Sequence, residues 1–147
     1  IRKSVQFAMK IMGKQFVMGR TIDEAIERAV EKENKGYAYS YDMLGEGART
    51  MKDADRYFES YMGAIHTIGK AAAGRGPITS PGISVKLSAI HPRYEFSHKS
   101  RVMKEIVPKL KKFKSCRYLG NLKVQYNICK TGNKKLQKNN MLQKHVA

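Results

Sequence analysis

Helical and strand-like stretches alternate along this chain, and that alternation narrows the possible folds more than any other property. Val5, Ala8, Met9 and Met12 follow helical spacing, so residues 2–12 are expected to form an amphipathic helix that Gly13 ends. Lys14 to Met18 reads as a short strand. Thr21-Ile22-Asp23-Glu24 has the form of a capping box, and the helix it opens carries Ala25, Ile26, Ala29 and Val30 on one face up to Gly36. The aromatic run from Tyr37 to Leu44 reads as a buried strand. Asp53 to Ala73 is a second helix with Ala54, Phe58, Met62, Ile65 and Ile68 on its stripe. Ile83 to Ser88 alternates as a strand, and Arg101 to Lys112 is helical again. Strands separated by long helices point to βαβ units and a parallel sheet.

Three such units take the chain to about residue 113, where its character changes. Residues 1–105 hold 18 basic and 12 acidic side chains, whereas residues 106–147 hold 11 basic and none acidic. The net charge of +17 therefore sits mostly in the C-terminal part. Both cysteines and a Lys/Asn-rich run lie there too, without sustained periodicity, a composition that favours solvated coil. Residues 1–113 are expected to form one unit and residues 114–147 a basic Lys/Asn-rich tail that is irregular or read out of frame. Three parallel strands leave edges unpaired and an apolar face uncovered, so the first 113 residues look like the start of something larger.

A charge of +17 first suggests a nucleic-acid or anionic-lipid partner. Tyr118 and Tyr126 among lysines could stack on bases, but no RRM, KH, helix-turn-helix or zinc-finger pattern accompanies them. A non-enzymatic binding module of that kind stays as the alternative, and nucleic acid is not the expected partner. Gly63 to Ala71 has the wrong spacing for a phosphate loop. Cys116, Cys129 and His145 lack the close pairs of a zinc site. No apolar run is long enough to span a membrane and no secretory signal opens the sequence, which points to the cytosol. Chemistry in α/β folds gathers at the C-terminal ends of parallel strands. That rule nominates Asp42 after the second strand and Lys86, Ser88, His91 and Arg93 around the third.

Two segments carry a resemblance: Tyr39-Ser40-Tyr41-Asp42-Met43-Leu44-Gly45-Glu46, and Pro81 to Tyr94 with its Gly82-Ile83-Ser84-Val85-Lys86-Leu87-Ser88 and His91-Pro92-Arg93. Both resemble the FAD-dependent proline dehydrogenase domain of bacterial bifunctional proline-utilisation enzymes, and residues 1–113 keep that register. The resemblance implies an incomplete (β/α)8 barrel of about three βα units, because a whole barrel takes about 250 residues. It further implies FAD as cofactor, L-proline as substrate oxidised to Δ1-pyrroline-5-carboxylate, and a quinone as electron acceptor. It places the chain in the cytoplasm, peripheral at the inner membrane. By the same resemblance Asp42 works in the substrate pocket as the catalytic-site acid, Met43 lines it, and Lys3 anchors the substrate carboxylate. Lys86 falls in a shared motif without an assigned role. After Phe113 the sequence departs from the family, and the later arginines, tyrosines and most FAD contacts have no counterpart here. The chain is expected to be inactive alone, or to need a complementary barrel fragment.

Overall fold

The computed structural model describes all residues except 1, 34, 77, 116–122, 128–142 and 147. Element order is α1 (Arg2–Phe16), β1 (Val17–Gly19), α2 (Ile22–Glu33), β2 (Ser40–Met43), α3 (Met51–Ala72), β3 (Gly82–Lys86), α4 (Lys99–Lys114), β4 (Lys123–Asn127) and β5 (Gln143–Val146). Single 3-10 turns at Leu87–Ala89 and Phe96–His98 link β3 to α4.

Gly13 does not end the first helix. Helix α1 runs through it to Phe16, so the strand expected at residues 14–18 shrinks to Val17–Gly19. A glycine inside a helix costs only about 1 kcal/mol, too little to stop it without a competing cap. Thr21 caps α2 by accepting from Glu24 N–H at 3.2 Å, but the Glu24 carboxylate reaches back to Arg20 N–H rather than to the cap residue itself. The reciprocal box is complete at α3, where Thr50 Oγ1 accepts from Asp53 N–H and the Asp53 carboxylate accepts from Thr50 N–H. Helix α3 ends through a left-handed Ala73 followed by Gly74, also at positive φ.

The sheet has five strands in the order β1-β5-β2-β3-β4, and all its pairings are parallel. Residues 123–127 and 143–146 are thus strands, which corrects the expectation of a wholly irregular tail. Val124 and Tyr126 alternate with polar residues along β4, a pattern too short to stand out from the basic, Asn-rich composition around it, and pairing with β3, β2 and β1 completes the order. Cys116, Tyr118 and Cys129 lie outside the described residues.

Strand β3 is buried at Gly82 through Val85 on both faces, rather than alternating between core and solvent. That is how a strand within a parallel sheet reads when both faces are covered. Tyr41, Ile83 and Val85 join Phe58, Tyr61, Ile65 and Ile68 of α3 in the core. Helix α4 adds Val102, Ile106 and Phe113. Helix α1 stays outside this core: Val5, Phe7, Met9, Met12 and Phe16 are all at least half exposed.

Candidate active site

Asp42 closes β2 opposite Ser84 of β3, and paired residues of parallel strands point to the same side. Ser40, Asp42, Ser84 and Lys86 therefore share one face of the sheet. Asp42 is 7% exposed and Ser84 fully buried, with Ser40 Oγ and Ser84 Oγ 3.5 Å apart. A carboxylate so deeply placed keeps its charge only with polar company. Acidic, hydroxyl and cationic groups accordingly gather here instead of Val or Leu.

Met43 lies on the opposite face. With Tyr41 and Ile83 it lines a cleft of about 390 Å³ against Ser60, Ala64 and Thr67 of α3 and Thr21 and Ile22 at the start of α2. The structure therefore separates Asp42 from Met43, because neighbouring strand residues point to opposite sides. Lys3 sits in the first turn of α1, exposed.

Beyond Asp42 the strand ends build a network around Lys86 that brings in Glu46 and Tyr61, two residues the sequence reading did not nominate. The Lys86 ammonium lies 3.2 Å from Glu46 Oε1, and the Tyr61 hydroxyl donates to the same oxygen at 2.8 Å. Tyr61 Oη also accepts from Lys86 backbone N–H at 3.2 Å. The Glu46 side chain is 1% exposed and that of Lys86 32%, so the acid is buried and its cation opens to solvent. Burial pushes the Tyr61 phenol well above its ordinary value, and the negative charges of Glu46 and Asp42 push the same way. Asp42 is thus electrostatically part of this group.

The signals for Glu46 and Tyr61 were present but mute. Glu46 ends the Tyr39–Glu46 motif, and Tyr61 falls on the α3 stripe, where an aromatic reads as core. His91, by contrast, is a structural anchor. Its ring is 1% exposed, Nδ1 accepts from Arg93 N–H at 3.1 Å, and Nε2 meets Glu105 Oε2 at 3.0 Å. Glu105 also accepts from Arg101 at 2.7 Å, and these contacts hold its carboxyl below the usual range, Arg101 contributing most. Ser88 is half-buried and Arg93 exposed.

With this geometry in view, a family model described as proline dehydrogenase matches residues 25–139. The chain belongs to the proline dehydrogenase family. The match runs beyond Phe113 and takes in β4. Bifunctional protein PutA of Klebsiella aerogenes and that of Escherichia coli K12 are each 58% identical over 111 residues, 76% of this chain. The chain spans only 8% of the length of these relatives. Among solved structures, proline utilization A of Bradyrhizobium japonicum (mutant D779Y) superposes at a TM-score of 0.63 with 48% identity, covering 85% of this chain and 12% of that one. The protein from Bdellovibrio bacteriovorus superposes at 0.75 with 18% identity, over 88% of this chain and 15% of that one, a likeness of fold. The mixed α/β structure with its small parallel sheet is thus similar to the proline dehydrogenase barrel of the proline-utilisation proteins.

Proposed function

We propose that this chain is the N-terminal part of an FAD-dependent proline dehydrogenase, an incomplete (β/α)8 barrel that oxidises L-proline to Δ1-pyrroline-5-carboxylate once the rest of its domain is supplied. One observation carries the reading: in a chain of this family, Asp42 is buried at the C-terminal end of β2, where α/β folds place their chemistry. There the Asp42 carboxylate holds the amine side of the amino acid and fixes which ring carbon faces the oxidant. Orientation of this kind is worth several kcal/mol in an enzyme that must present one C–H bond.

A flavin dinucleotide does not fit the described residues alone. The 390 Å³ cleft lies on the Tyr41 and Met43 side of the sheet, at the small end of ligand pockets (about 300–1,000 Å³), and Asp42 is buried on the other side. The residues that hold the cofactor and the quinone-facing surface belong with the remainder of the domain, whereas the carboxylate anchor assigned to Lys3 lies on α1 of this chain. A complementary polypeptide carrying that remainder is the partner this reading calls for.

The test is proline-dependent dye reduction by the 147-residue chain alone and by the chain co-expressed with the remainder of a relative's domain. Activity is expected only in the combination, and Asp42→Asn is expected to abolish it. A combination that binds flavin yet ignores proline sinks the reading. Dye reduction by the chain alone sinks the incompleteness.

A further inference from the structure

The Lys86 ammonium carries three N–H donors and forms an ion pair with Glu46 Oε1 at 3.2 Å. Tyr61 shares that oxygen and also binds the Lys86 backbone, so one phenol fixes both the acid and the strand end that bears the lysine. Glu46 comes from the segment after β2, Tyr61 from α3 and Lys86 from the last position of β3. Three separate elements converge to hold one cation. A surface lysine needs no such support, and a lysine kept only for packing would not leave a third of its side chain open to solvent. Lys86 lies two residues beyond Ser84, the register partner of Asp42, and so on the Asp42 face.

We infer that Lys86 is an oxyanion-receiving group of this site, with Glu46 and Tyr61 as the positioning residues that hold its ammonium in place. The ligand chemistry is a carboxylate, as on an amino acid, or a phosphate. Lys3, exposed on α1, has no comparable support among the described residues. The inference deepens the proline dehydrogenase reading, on which it rests.

Isotope-labelled lysine in the full 147-residue chain allows the Lys86 side-chain resonance to be followed, assigned through Lys86→Arg. L-proline, inorganic phosphate and pyrrolidine are titrated separately. A saturable Lys86 shift with L-proline identifies a carboxylate ligand, and one with phosphate alone identifies a phosphate. Either supports the inference. Silence of Lys86 to both, or a shift with pyrrolidine as large as that with L-proline, overturns it. Positioning is read from the mobility of the Lys86 ammonium, which is expected to be restricted beside that of exposed Lys70. Glu46→Gln keeps an acceptor for Tyr61 but removes the charge, and should free the ammonium to the Lys70 level while circular dichroism shows the fold retained. An ammonium already as mobile as Lys70 in the unaltered chain overturns the positioning role. Dye reduction in the combined assembly with Lys86 silent removes this inference and leaves the reading intact. A Lys86 shift without dye reduction does the reverse.

Discussion

The ring of Phe113 packs on that of Phe58 with centroids 4.6 Å apart and planes tilted by 36°. Tyr61 meets Phe113 edge-on at 6.4 Å, so the last turn of α4 is fastened to the middle of α3. Phe113 is fully buried although composition changes at that point in the chain. Phe113→Ala is expected to cost about 3–5 kcal/mol, read from the denaturation midpoint. A loss below about 1 kcal/mol would mean that α4 is not docked this way.

Gly19 sits where β1 turns into α2. A Cβ there would lie 2.6 Å from Ala25 N and 2.9 Å from Thr21 O, both backbone atoms that cannot swing aside. Gly19→Ala should therefore destabilise the chain by about 1–3 kcal/mol, whereas Gly63→Ala, with nothing within 4 Å of its Cβ, should not. Paired thermal melts of the two variants check the contrast.

Thr50 holds the start of α3 in a full capping box, and its hydroxyl is the main reason that the Asp53 carboxyl titrates below its ordinary value. A depressed carboxylate contributes stability above its unfolded pKa of 3.8 and loses it as pH falls through the lower folded value. Thr50→Ala should cost about 1 kcal/mol near neutrality, with part of the acid-limb sensitivity below pH about 4 disappearing. Melting curves across that range, for both proteins, provide the measurement.

Tyr41 and Tyr61 are buried phenols whose values are pushed far up, by burial first in both cases. A raised phenol favours the folded state fully below the unfolded pKa of 10.0, and that benefit is lost as pH rises. Tyr41 and Tyr61 should ionise only on unfolding. Phenolate absorbance followed beside circular dichroism tests this. Ionisation of every tyrosine before loss of helix would contradict it.

Tyr61→Phe removes the donor to Glu46 and the acceptor for Lys86 N–H. Loss of both bonds should cost about 1–3 kcal/mol, a penalty that Tyr57→Phe should not match, since Tyr57 makes its bond to Gly45 O at the surface. Chemical denaturation of the two variants decides it.

Much of the architecture was legible because periodicity acts locally. Ala54, Phe58, Ile65 and Ile68 face inward on α3 as their spacing requires, and β2 falls inside its aromatic run. The end of α1 was misplaced because Gly13 is a weak stop, and β4 and β5 were missed because non-local pairing outweighs their composition. At the site, Asp42 was legible from its place after a strand. Glu46 and Tyr61 were not, since a hydrogen bond between residues fifteen apart depends on how α3 lies across the sheet.

Strand β5 lies between β1 and β2, pairing Val17 with His145 on one side and Met43 with Val146 on the other. The first two described strands therefore never pair through their backbones, and the segment between them comes after every other described element. Closing the sheet means pairing residues as far apart in the sequence as Val17 and His145, an entropic demand that slows folding and lengthens the exposure of unpaired edges. A nascent chain of this design stays open along β1 and β2 until β5 has emerged, so its hazard lies in aggregation during synthesis rather than in weakness once assembled.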